Sequence, residues 1–379
     1  MPSFGSISKS WLFAIVVIPA LVSCGGSDAV KPAELRDFKP SAKPQVVWRS
    51  AAGKAKFYVF KPAIYGDSVY AAGYDGHLER LNLATGKQIW RVDTKEKLSG
   101  GVGAGGNVVL VGTDKGAVLA YDLGGKLLWR SQLTSEILSA PRAAEGIVIV
   151  RSGDGRIFGL DAASGERKWE YQVNLPPLLL RTSIGVHIVG DLAIVGLPAG
   201  KVIALNVANG NLVWDTTIAA PKGDNELERI TDIAGTLVVD GDRVCAVAYQ
   251  GRVACLDATK GTIAWGRDAS SATPLSADTI TLYLTDASSV VVAYDRETGA
   301  SVWKQDKLLN REVSGPAVVG EFVVVGDMDG YVHVLSSEDG SFAARLRTDG
   351  SPIVAQPVAG GPGVIVQTRK GDIYAISIK

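Results

Sequence analysis

The sequence predicts an all-β fold: an eight-bladed β-propeller of four-stranded antiparallel blades, its ring closed by the N-terminal strand. Three observations predict it. A ten-residue phrase recurs along the 379-residue chain, Gly-bearing turns recur at fixed places around each copy, and what is missing at one end of the chain is found at the other.

The phrase "LNLATGKQIW" ends at Trp90, "LDAASGERKW" at Trp169, "LNVANGNLVW" at Trp214, "LDATKGTIAW" at Trp265 and "YDRETGASVW" at Trp303. A form one residue shorter, "YDLGGKLLW", ends at Trp129. With Trp48, these tryptophans are spaced 42, 39, 40, 45, 51 and 38 residues apart, and each from Trp90 onward stands four residues after a Gly. A last copy, "LSSEDGSFAA", keeps Gly340 but puts Ala344 in the Trp position. A period near forty residues marks a repeat architecture in which each unit is one supersecondary element.

Upstream of each phrase lies a second turn, such as Asp75-Gly76, Asp154-Gly155 or Asp329-Gly330, and earlier still a third, such as Gly66-Asp67 or Gly190-Asp191. Between the turns run stretches such as "VVLVG", "IVIV" and "VVVG", of strand length and rich in β-branched residues. Such runs joined by Gly turns read as hairpins. Three turns and four strands make one propeller blade. Both faces of a blade are apolar, so each must be stacked between two neighbours. The Trp near the start of the outermost strand is expected between adjacent blades, stabilising each contact by about 2–3 kcal/mol.

The last copy, "VIVQTRKGDIYAISIK", reaches Lys379 without its Gly…Trp strand, while "VVWR" (Val46–Arg49) carries Trp48 with no complete blade before it. The two ends combine into the eighth blade and remove an exposed sheet edge.

Before the ring, Lys9 is the only charged residue in the first 23, and Trp11–Val22 is an apolar run of signal-peptide length, too short to span a bilayer. Residues 1–23 are expected to be a signal peptide. "LVSC" (Leu21–Cys24) resembles the bacterial lipobox; the resemblance implies acylation of Cys24 and, with Gly25 rather than Asp after it, anchoring at the outer membrane on its periplasmic face. Residues 24–44, rich in Gly, Pro and Lys, are expected as a flexible tether, and 45–379 as a single propeller domain.

A formal net charge of +0 with 46% hydrophobic residues supplies a large core and no basic face for nucleic acid. The phrase resembles the repeat of quinoprotein dehydrogenases, which raises an oxidoreductase reading. Those enzymes carry an adjacent Cys pair and a calcium-binding set, whereas Cys245 and Cys255 are ten positions apart. His77, His187 and His333 are solitary, without metal spacing. "GVGAGG" matches G-x-G-x-x-G at Gly101, Gly103 and Gly106, yet it leads into a strand rather than a helix and reads as a turn. Asp161, Asp257 and Asp295 are expected to brace their own turns. No enzyme, cofactor or metal is expected. Cys245 and Cys255 flank the turn Gln250-Gly251; a disulfide and two separate buried thiols both remain open, because register decides which face each occupies.

Loops are where such a ring carries function. Two connectors are long: "EYQVNLPPLLLRTS" after Trp169 and "DTTIAAPKGDNELERITDIAG" after Trp214. They leave consecutive blades and should be neighbours on one rim. The first offers leucines and an Arg behind two prolines; the second offers Glu226, Glu228, Arg229 and Asp232. An apolar centre with Arg and a charged rim suits protein binding.

With the lipobox and the tether, these loops resemble those of the BamB family, lipoproteins of the outer-membrane β-barrel assembly machinery. "LPPLLLR" is similar to that family's Leu-x-Leu-Arg loop and "ELERITDIAG" to its acidic loop. The resemblance implies a non-enzymatic scaffold that docks on the POTRA domains of the BamA barrel-forming subunit through Leu178, Leu180, Arg181 and Asp232. Ala234 stands where a second Asp is expected. Exposed blade edges are a candidate for strand addition to unfolded outer-membrane proteins. A quinoprotein-like oxidoreductase and a propeller binding a ligand in its central channel are the alternatives.

Overall fold

The fold is described from a computed structural model, over residues 1–3, 5 and 31–379. Cys24 and nearly all of the segment expected as a signal peptide lie outside the described residues. Among those described, 32 strands form eight four-stranded antiparallel sheets, with no helix. The expected eight-bladed propeller is the fold. Blades 1 to 7 span 63–93, 98–132, 142–172, 186–217, 238–269, 276–305 and 317–347. Blade 8 combines 358–378 with the strand Pro44–Ala51, which pairs antiparallel with Asp372–Ile378 as its outermost member.

Each tryptophan works across a blade boundary. The indole N–H of Trp48, Trp90, Trp129, Trp169, Trp214, Trp265 and Trp303 donates to the carbonyl of Leu83, Leu123, Ala162, Val207, Ala258, Arg296 and Ser337 respectively, at 2.8–3.1 Å. Every acceptor lies in the phrase of the following blade. There the ring covers the phrase glycine (Gly86, Gly125, Gly165, Gly210, Gly261, Gly299, Gly340), leaving no room for a Cβ. These glycines also hold φ between +68° and +86°, which only Gly adopts without penalty. One residue type thus meets two demands. The residue before each Trp is the extra one of a β-bulge, Ile89 and Lys168 among them. The bulge adds local twist to an outer edge.

The break in the pattern has a structural cause. Blade 8 has no phrase turn, because its outermost strand comes from the other end of the chain rather than round a hairpin; the Lys43 N–H meets the Lys379 carbonyl at 2.8 Å. A Trp on blade 7 would have no glycine to cover, and Ala344 stands in its place. Ala42 fills the space against Ala343 and Ala344. The Ala343 carbonyl, freed by the bulge, accepts the N–H groups of Ser41 and Ala42.

Residues 33–42, inside the segment expected as tether, lie along blades 6 and 7. Leu35 packs into the core between those blades, and Phe38 stacks on Phe342 with ring centroids 5.3 Å apart. Arg311, 5% exposed, donates to Ala33 O (3.0 Å), Asp327 and Asp329, and Asp327 also meets His333 Nε2 at 3.0 Å.

Two local readings are settled. Cys245 and Cys255 are directly opposed in register, 4.0 Å apart at Cα, and disulfide-bonded. The reading of "GVGAGG" as a turn is corrected: Gly101 and Gly103 lie within the innermost strand of blade 2, Leu98–Gly105, and Gly106 alone of the three in the turn after it. The reason is crowding, since a Cβ at Gly103 would strike the carbonyl of Pro141, just ahead of blade 3.

Candidate docking site on the connector rim

The connectors that lead from one blade's outermost strand to the next blade's innermost strand emerge on one rim of the ring. The connector from blade 3 to blade 4 is the leucine loop, and that from blade 4 to blade 5 is the charged one. They touch as expected: the Leu180 N–H donates to Asp232 Oδ2 at 2.7 Å, and the Ala199 N–H to Oδ1 at 3.1 Å. Asp232 is only 3% exposed. The residue expected at the partner surface is therefore buried, and within the chain its carboxylate ties the leucine loop, through Leu180, to the Ala199 turn of blade 4. Ile230 and Ile233 on either side anchor the segment, Ile233 packing into the core between blades 4 and 5.

Arg181 is exposed and charged. Its guanidinium makes a two-pronged contact with Glu136 of the blade 2–3 connector, Nε–Oε1 3.0 Å and Nη2–Oε2 2.5 Å. Those hydrogen bonds raise its pKa above the ordinary arginine value. The same guanidinium lies 5.2 Å from the ring centre of Tyr58, on the connector into blade 1. The leucine loop thus reaches from blade 3 to a connector belonging to the ring closure.

Two adjoining clefts result. One, about 250 Å³, lies between Glu136, Leu138, Arg151, Leu175 and Leu179–Arg181. The other, about 230 Å³, shares Leu138, Leu180 and Arg181 and is finished by Phe57, Tyr58 and Ala234. Burial pulls the pKa of Arg151 down to about 10 against the opposing attraction of Asp232, and Arg151 donates to Gly196 O at 3.1 Å. Exposed apolar groups stand on these connectors: Phe57 at 89% on that into blade 1, Leu178 at 40% on the leucine loop and Leu227 at 67% on the charged loop. The tip of the charged loop, which presents Leu227, is fixed by Glu228 bonds to the Asp224 N–H and the Asn225 amide.

Of the residues singled out in the sequence, Leu178, Leu180 and Arg181 reach the rim together, and Asp232 supports them from beneath. Phe57, Tyr58 and Glu136 were not singled out. The one signal for the aromatic pair is "AKFYVF" in a connector otherwise expected to be short. Among the described residues, no group of three or more His, Cys, Asp or Glu is placed to hold a metal ion.

The ring of W-capped blades defines the class: an eight-bladed propeller with quinoprotein-like repeats. Within that class the chain belongs to the BamB family. The sequence family described as outer membrane protein assembly factor BamB matches residues 74–305 and 288–379. The chain is 41% identical to the outer membrane protein assembly factor BamB of Burkholderia pseudomallei, over 95% of each chain. It is 43% identical to that of Nitrosomonas eutropha, over 92% of this chain and 86% of the relative. The crystal structure of BamB from Moraxella catarrhalis superposes with a TM-score of 0.81 at 26% identity, covering 88% of this chain and all of that one. A quinohemoprotein alcohol dehydrogenase from Pseudomonas putida shares the fold alone, with a TM-score of 0.71 at 13% identity.

Proposed function

We propose that this chain is a non-enzymatic scaffold of outer-membrane protein assembly, lipid-anchored through Cys24 at the periplasmic face of the outer membrane. It docks on the POTRA domains of a BamA-like barrel-forming subunit and thereby aids the folding and insertion of β-barrel proteins. One observation carries the docking surface: the leucine loop is held by Asp232 so that Leu178, Leu180 and Arg181 share one rim with the exposed Phe57 and Leu227. Preorganised apolar anchors beside an Arg already held in one geometry are what a hot spot needs. Contacts to Leu178, Leu180 and Arg181 are direct; Asp232 acts by positioning them.

The test is co-purification with the barrel subunit from solubilised outer membrane. Leu178→Ala combined with Arg181→Ala is expected to weaken recovery by roughly thirtyfold in affinity, the scale of losing one hot spot. Recovery equal to that of the wild-type protein rejects this rim. Asp232→Ala is expected to weaken docking and also to lower the melting temperature, because two part-buried N–H groups lose their acceptor. Cys24→Ser, checked by membrane fractionation, is expected to release the protein from the outer membrane.

A further inference from the structure

A second cluster lies away from the rim clefts, where the innermost strands surround the axis of the ring. Arg142 and His187 sit on the innermost strands of blades 3 and 4 at matching positions, each three residues ahead of its turn. Lys61 precedes the innermost strand of blade 1 by two residues. Its backbone is pinned to blade 2, with N–H to Gly101 O at 3.2 Å and Val102 N–H to its own carbonyl at 3.1 Å. The Lys61 ammonium donates to Gln356 Oε1 at 2.6 Å, and the Gln356 amide donates to the carbonyls of Leu275 (2.9 Å) and Pro316 (2.7 Å).

Among the described residues, no carboxylate lies within ion-pair distance of Lys61 or Arg142, and the one charge bearing on Lys61 is Arg142 itself. Burial, reinforced by Arg142, pulls the Lys61 pKa down to about 8. Burial, then Arg142 and Lys61, pulls that of His187 to about 3, and its Nε2 has no hydrogen-bond partner. Lys61 and Arg142 are surrounded by the ring yet keep partial contact with solvent. That combination belongs to a channel lining that a small solute can reach. Two like charges held together without a counter-charge destabilise a fold. An anion between them would remove that cost.

We infer that Lys61 and Arg142, braced by Gln356 and backed by His187, form a site for a small oxyanion, phosphate or carboxylate, inside the ring. Arg142 supplies a planar fork of N–H donors that matches an oxyanion's geometry, and Lys61 a point charge. The site uses none of the docking residues, so its failure leaves the docking reading untouched.

The experiment uses the purified protein in chloride at pH 7 and constant ionic strength. Inorganic phosphate and succinate are titrated separately, with the melting temperature and calorimetric heat as readouts. A saturable rise in melting temperature is expected with at least one of them. Which anion produces it separates phosphoryl from carboxylate recognition. Lys61→Met and Arg142→Gln are each expected to weaken that response about tenfold, the loss of one charge-assisted hydrogen bond, and to melt higher than wild type in chloride alone. In the wild-type protein the His187 imidazole resonances should shift with the same midpoint, because an anion beside the cations raises its basicity. No response to either anion, a response equal in both variants, or unmoved His187 resonances at saturation would each overturn the site; the last holds even where the variants do not fold.

Discussion

Gly210 and Trp169 illustrate how much rests on single residues. The indole covers the glycine Cα and bonds to Val207 O beyond it, while Gly210 holds φ at +72°. Gly210→Ala is expected to cost about 2–4 kcal/mol, from left-handed backbone strain and a displaced ring together. Thermal unfolding checks it, and the same change at the exposed turn residue Gly190, with open space around it, should cost only the backbone part. The disulfide offers a second measurement. It closes a loop of ten positions, so Cys245→Ser with Cys255→Ser should lower stability by about 2–3 kcal/mol in denaturant titration. At this scale the sequence was uneven. The Trp and Gly positions were legible because they repeat, whereas the cysteine pairing hung on register, which a one-residue slip reverses. Asp232 looked like a surface charge because it follows Glu226, Glu228 and Arg229; its burial comes from a bridge between Ile233 and Ala248 that no local pattern announces.

Among the described residues, blade 1 is distinct in burying a carboxylate that has no hydrogen-bond partner. Glu79 is 1% exposed, neither carboxylate oxygen has a hydrogen-bond partner, and it faces the boundary with the closing blade 8. Burial raises its pKa to about 7, with Arg91, its cross-strand partner, opposing. The folded-state value lies above the unfolded one, so the neutral acid is favoured on folding. Stability is therefore greatest below about pH 4.5 and declines as pH rises through 7. Glu79→Gln is expected to be more stable than wild type at pH 8 by up to about 3 kcal/mol, the gap closing near pH 4.5. Melting curves at the two pH values check this; a gap that does not change with pH would assign Glu79 no titrating role. The blades themselves were readable element by element, since three turns and alternating strands recur. The docked stretch 33–42 was not, because Leu35, Phe38 and Ala42 are too sparse among Pro and Lys residues to register as an element.

For the molecule as a whole, closure of the ring is the property that everything else requires. The complementary fragments at the two ends predicted it, and the ladder from Pro44↔Ile378 to Ala51↔Asp372 realises it. Removing residues 24–51 is expected to expose the edge Asp372–Ile378 and the open face of blade 1, giving oligomers or aggregates in place of a monomer on size-exclusion chromatography. A monodisperse monomer with an unchanged melting temperature would show that the seam contributes little. The position of the rim loops was legible at this scale too, because consecutive connectors must emerge side by side. That the leucine loop also reaches Tyr58 and Glu136 was not, since those contacts join connectors far apart in the chain.

Arg49 meets its partner Asp372 across 323 positions of chain. During synthesis the outermost strand of blade 8 is therefore made before any other and must wait, with Trp48 unprotected, until its neighbour has been delivered. Seven complete sheets can assemble in the interval, but none can be locked into a circle. Such long-range pairing is slow and leaves a sticky border available to other chains, so the interval of greatest hazard for this protein comes before its seam shuts.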